Sequence, residues 1–101
     1  MTHQWIFEAE LWRWDGPAAW IFVSVPDEVA DEIADIADAL PRAGFGSVRV
    51  HVSIGTSRWT TSVFPDTSRG TYLLPVKKAV RAAQGIDEGD LASVTLELAD
   101  A

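Results

Sequence analysis

Cysteine is absent from this 101-residue chain. That removes disulfides, thiolate nucleophiles and cysteine-ligated zinc together. Bases are scarce: eight Lys and Arg stand against fifteen Asp and Glu, a formal net charge of −7. Nucleic-acid affinity comes largely from Lys and Arg neutralising phosphates, so this balance opposes a nucleic-acid partner. No run approaches the ~18 apolar residues that cross a bilayer as a helix, so no membrane partner is expected. The stretch from Met1 to Leu11 carries Glu8 and Glu10 and has no basic start before an apolar run, unlike a secretory signal. A cytoplasmic location is expected.

Hydrophobic residues make up 48% of the chain and include five tryptophans, Trp5, Trp12, Trp14, Trp20 and Trp59. Each indole can bury roughly 150–250 Å², so a few of them could supply much of one core. Residues 1–101 therefore read as a single domain, with Trp5 and Trp20 expected in its core and Trp12 and Trp14 partly exposed.

From Trp5 to Leu11, Trp5, Phe7, Ala9 and Leu11 share one face and Glu8 and Glu10 the other, the period-2 mark of a half-buried strand. Asp15-Gly16-Pro17 signals a turn. Ala19 to Val25 is apolar on both faces, as in a central strand, and completes a hairpin. Pro26-Asp27 opens a helix with Asp27 as the expected N-cap. Its stripe is Val29, Ile33, Ile36 and Leu40, its carboxylates lie in a solvated arc, and Pro41 and Gly44 end it. Strands are expected at Ser47–Ile54, Arg58–Phe64 and Thr71–Leu74, with a polar loop at Pro65–Gly70. Pro75 reads as the first residue of a short helix through Gln84, closed by Gly85. The last strand follows Gly89-Asp90, with Val94, Leu96 and Leu98 on its apolar side. Six strands in so short a chain favour a mainly β fold, a small closed six-stranded barrel with two short helices.

Two segments share a plan. Val25-Pro26 and Leu74-Pro75 each lead from a strand into a helix, a turn and a further strand. The second copy, Leu74 to Arg81 through Gly85 to Asp90, resembles the half-barrel of AbrB-type and MazE-type regulators, where two chains swap hairpins to complete a barrel. Gly16-Pro17-Ala18-Ala19-Trp20 with Val25-Pro26, Trp59 through Pro65, Tyr72 to Arg81 and Gly89-Asp90 resemble the domain-of-unknown-function 1905 family over nearly the whole chain. That resemblance implies a double-split β-barrel and no established activity.

No catalytic or metal centre is evident. His51 sits mid-strand, and Arg49 and Arg58 nearby would repel a cation. No Gly-x-Ser-x-Gly elbow is present. The acidic helix offers Asp31/Asp35 and Glu28/Glu32 pairs, which read as a solvated face. The basic segment is more informative. Lys77, Lys78 and Arg81 fall on one short helix, with Lys77 and Arg81 one turn apart, and the helix N-terminus would favour an anion. Arg49 and Arg58 would face this segment if their strands pair in register, and Trp59 would join a pocket with Tyr72. The alternative is that these bases pair with Glu8, Glu10 or Asp90. The leading expectation is a non-enzymatic module, without cofactor, that binds a small anionic ligand or protein partner through Arg49, Arg58, Trp59, Lys77 and Arg81. Two alternatives are an AbrB-like DNA-binding regulator and a small enzyme with a His51 or carboxylate acid/base. A monomer or weak homodimer is expected.

Overall fold

The alternating segments all become strands. The computed structural model describes residues 3–16, 19–38 and 46–99. In chain order they form β1 (Gln4–Arg13), β2 (Ile21–Ser24), α1 (Asp27–Ala37), β3 (Val48–Ile54), β4 (Ser57–Asp66), β5 (Thr71–Pro75), α2 (Lys78–Gln84) and β6 (Leu91–Leu98). The strands close into a barrel in the order β1-β2-β5-β4-β3-β6. Every neighbouring pair is antiparallel. Closure gives every strand two neighbours, so no strand stands at a sheet edge along its whole length.

The inward residues are those the alternation assigns. Val48, Val50, Val52 and Ile54 of β3 and Val94, Leu96 and Leu98 of β6 are buried, together with Leu11, Val23, Val63 and Leu74. β1 and β4 are the long strands, ten residues each. The first seven residues of β1, Gln4–Glu10, pair with β6, and Leu11–Arg13 then pair with β2. β4 divides in the same way, with Ser57–Val63 on β3 and Phe64–Asp66 on β5. Each long strand thus belongs to two sheets. Exchanging β1 with β4, β2 with β5 and β3 with β6 leaves all the neighbour pairs unchanged. The strand–helix–strand repeat legible in the sequence is therefore part of a larger β-β-α-β duplication within one chain.

Local details depart from expectation where backbone hydrogen bonds decide. Pro26, at φ −57° and ψ 148°, occupies the N-cap and Asp27 is the first helical residue, with no side-chain cap. The Pro26 carbonyl accepts the Ala30 N–H at 2.8 Å, so the chain enters the helix one residue earlier than an Asp27 cap requires. Ile33 is fully buried, but Ala30 and Ala37 accompany it, while Val29 and Ile36 are half-buried. Two alanines let the helix axis approach the barrel closely. Pro17, Leu40, Pro41 and Gly44 lie outside the described residues.

The expected loop at Pro65–Gly70 is shorter, because Pro65 and Asp66 extend β4. Pro65 stands opposite Tyr72, whose carbonyl already accepts the Val25 N–H at 2.9 Å, so no donor is needed from the proline there. Pro75 does not open α2. It closes β5 opposite Phe22, and the Val76 N–H donates to the Ile21 carbonyl at 3.0 Å, carrying the ladder one residue further. The helix begins at Lys78 with Lys77 as its N-cap. Gly85, at φ 65°, ends it in the left-handed conformation a glycine adopts without strain. The Ile86 N–H then reaches the Arg81 carbonyl at 3.0 Å, completing a Schellman closure.

Leu96 is fully buried where β6 meets Trp5 on one side and Val52 on the other. Leu96→Ala should lower the unfolding free energy by about 2–5 kcal/mol with little change in denaturant slope, measured by urea titration of tryptophan fluorescence. A loss under about 1 kcal/mol would mean that this seam is not the packed centre.

Candidate functional site

The segment from Pro75 to Arg81 runs beside the start of β2 and the first half of β4. Between them lies a pocket of about 380 Å³, within the range of small-molecule sites. Trp20 and Trp59 supply its aromatic surface, Thr60 and Thr61 its strand wall, and Lys77, Lys78 and Arg81 its charge. Trp59 pairs with Val52 and so shares the inward face, half-buried.

Arg81 is largely committed to the segments that flank α2. Its Nε donates to the Val76 carbonyl at 3.2 Å, and its Nη1 lies 3.2 Å from Asp87 Oδ1. The partner is Asp87, where the salt-bridge alternative named Glu8, Glu10 or Asp90. Lys77 and Lys78 are exposed, and among the described residues neither meets a carboxylate at ion-pair distance.

Trp20 is 52% exposed, which corrects its expected place in the core. The cause is parity: Ile21 and Val23 point inward, so Trp20 and Phe22 point out. A line of contacts fixes that outward surface. Trp20 stacks on Phe22 at 6.0 Å and 10°, and Phe22 tilts against Trp12 at 5.5 Å. Trp12 Nε1 donates to Ser24 Oγ at 2.9 Å, and the Arg69 guanidinium lies 4.5 Å above the Trp12 ring. Asp66 anchors Arg69 through a 2.7 Å ion pair and also accepts from Ser68 Oγ at 2.7 Å. One wall of the pocket is thus braced by a run of stacked side chains ending in a salt bridge.

Of the five expected site residues, Trp59, Lys77 and Arg81 come together at this pocket. Arg49 and Arg58 do not. β3 and β4 do pair, but Arg49 lies opposite Ser62 and Arg58 opposite Ser53, which turns both onto the outer barrel surface. Arg58 lines a separate open trough there with His51 and Glu97. His51 is exposed, its Nδ1 2.9 Å from Thr60 Oγ1. Tyr72 is buried and lines a different groove beneath α1. Sequence reasoning left Trp20, Thr60, Thr61 and Lys78 of this pocket out of the site. The shared parity of Trp20 and Phe22, opposite to Ile21 and Val23, was the signal for Trp20.

Two carboxyls sit below the usual range. Asp66 is lowered chiefly by its hydrogen bond from Arg69 and then by that from Ser68. Asp87 is lowered first by the Glu88 backbone N–H and further by the charge of Arg81.

A closed six-stranded barrel with a half-polar pocket at α2 defines the structural class. The chain belongs to the family described as domain of unknown function DUF1905, whose model matches residues 7–96. No curated protein matches the chain.

The Asp66 brace has a pH signature. A depressed folded pKa contributes stability that is present above the ordinary Asp value of about 3.9 and lost as pH falls through the folded value. The Tm deficit of Asp66→Asn relative to wild type should therefore be largest near neutrality and shrink below about pH 4. Differential scanning fluorimetry across pH 2–7 reads this, and a deficit that grows on acidification would reverse the assignment.

Proposed function

We propose that this chain is a non-enzymatic binding module for a small anion with a flat apolar body, such as an aromatic carboxylate or phosphate ester. The observation that carries this reading is Lys77 and Lys78, without an ion-pair partner among the described residues, beside a pocket walled by Trp20 and Trp59. An aromatic ring gains contact area on the indoles, while the anionic head meets Lys77 and Lys78 and the hydroxyl of Thr61. Arg81 serves as a positioning residue, holding the pocket floor through Val76 and Asp87. The β-β-α-β duplication and the two divided strands support a double-split barrel on the AbrB-type plan, with one chain supplying both halves. We place this module in the cytoplasm.

Thermal shift with benzoate, phenyl phosphate and inorganic phosphate tests the reading. A ligand at tenfold its Kd adds about 1.4 kcal/mol, which for a domain of this size raises Tm by roughly 6–11 °C. The aromatic anions should give such a shift and also perturb tryptophan emission. Lys77→Ala/Lys78→Ala should abolish it, and Trp20→Ala should reduce it for the aromatic probes. A shift that survives the double lysine variant places the anion elsewhere and overturns the site.

A further inference from the structure

We infer that the outer face of the sheet formed by β1, β6, β3 and β4 is a self-association surface that receives a second copy of this chain. Neither helix covers this face: Ile6, Glu8, Leu91, Ser93, Arg49, His51, Arg58 and Thr60 are all exposed along it. Its charges are sorted by strand. The β1–β6 half presents Glu8, Glu10 and Glu97, and the β3–β4 half presents Arg49, His51 and Arg58. Among the described residues Glu8, Glu10, Glu97, Arg49 and Arg58 have no ion-pair partner. The two most exposed large apolar side chains, Ile6 at 71% and Leu91 at 65%, stand on the acidic half.

Pairing places these groups in rows across the sheet. One row runs Ile6–Thr95–Ser53–Arg58, and the next runs Gln4–Glu97–His51–Thr60. A half-turn about an axis along the strands, above the β6–β3 seam, preserves the rows and exchanges the two halves. It sets Glu97 of one copy against His51 of the other, with the facing Arg58 one row from Glu8 and the facing Arg49 one row from Glu97, in both directions at once. Ile6 then covers the aliphatic stem of the facing Arg58. A surface with opposite charges on its two halves is self-complementary under a twofold axis, as an isologous contact demands. Twisted antiparallel sheets stack face to face at about 10 Å and −30°. The internal duplication supports the fit, because β1 with β6 and β4 with β3 are equivalent pairs of the barrel.

Sedimentation equilibrium on the full chain tests this. The wild type should form a dimer that weakens about tenfold between low and high salt, as a contact built on opposed charges does. Arg49→Glu/Arg58→Glu makes the face uniformly acidic, and Glu8→Lys/Glu97→Lys makes the opposite half basic as well. Each variant alone should be monomeric with an unchanged circular dichroism spectrum, and an equimolar mixture of the two should restore a dimer. A wild type that stays monomeric at millimolar chain concentration overturns the proposal. So does a dimer that both reversals leave intact, including one that Trp20→Ser or Phe64→Ser disrupts instead.

Discussion

The bend shared by β1 and β4 is the constraint from which the remaining structure follows. Each strand must leave one neighbour and join another without breaking its inward–outward alternation. In β1 the change falls at Leu11, fully buried, whose N–H donates to the Asp90 carbonyl at 2.9 Å and whose own carbonyl accepts from Gly89 at 2.8 Å. The alternation continues through that point, so Trp12 still points outward after the bend. With short strands and two bends, six strands close around a core of valines, leucines and isoleucines. Trp5 and Trp59 pack half-buried against that core, while Trp14 and Trp20 are exposed.

Because the bends divide the barrel into two sheets, its surface has two characters. The sheet holding β2 and β5 carries Trp12, Phe22, Leu73 and Phe64 outside, an aromatic exterior in which Arg69 caps the Trp12 ring. The opposite sheet carries hydroxyls and charges that have no ion-pair partner among the described residues. The pocket at α2 lies where the two sheets meet, so it combines Trp20 beside β2 and Trp59 of β4 with cations from the connecting segment. The β3–β4 turn is tied to the same helix: Gln84 Nε2 donates to Thr56 Oγ1 at 3.1 Å and Ser57 Oγ at 2.9 Å. Helix and strand walls of the pocket are therefore held in register by side-chain hydrogen bonds.

Much of this was legible in the sequence, because alternation is a local property and burial obeys it. The periods of β1, β3 and β6 gave both strand and facing, and Gly85 marked the end of α2. What local pattern does not encode is which neighbour a strand will take. Ala19 to Val25 looked doubly buried because both faces are apolar, yet its outer face is the aromatic exterior, and Trp20 followed the wrong side. Pro75 looked like a helix start because proline suits that position. The ladder to Ile21 claimed the residue after it, a contact 55 positions back in the chain. Arg49 and Arg58 lie outside the pocket for the same reason, since the side of the sheet facing α2 is set by closure and not by either strand alone.

Net charge also misleads unless it is placed. Asp27, Glu28, Asp31, Glu32, Asp35 and Asp38 all belong to α1 or its cap. Setting those six aside leaves nine acids against eight bases in the rest of the chain. Charges act over about 8 Å at physiological ionic strength, so a site responds to its neighbours more than to the total. No residue of α1 lines the pocket at α2. The local field there is set by Lys77, Lys78 and Arg81, with Asp87 neutralising only the last of them. An acidic chain can thus present a cationic pocket, because most of the surplus acid lies on one helix segment, residues 27–38, and the equivalent helix of the duplicated plan carries bases.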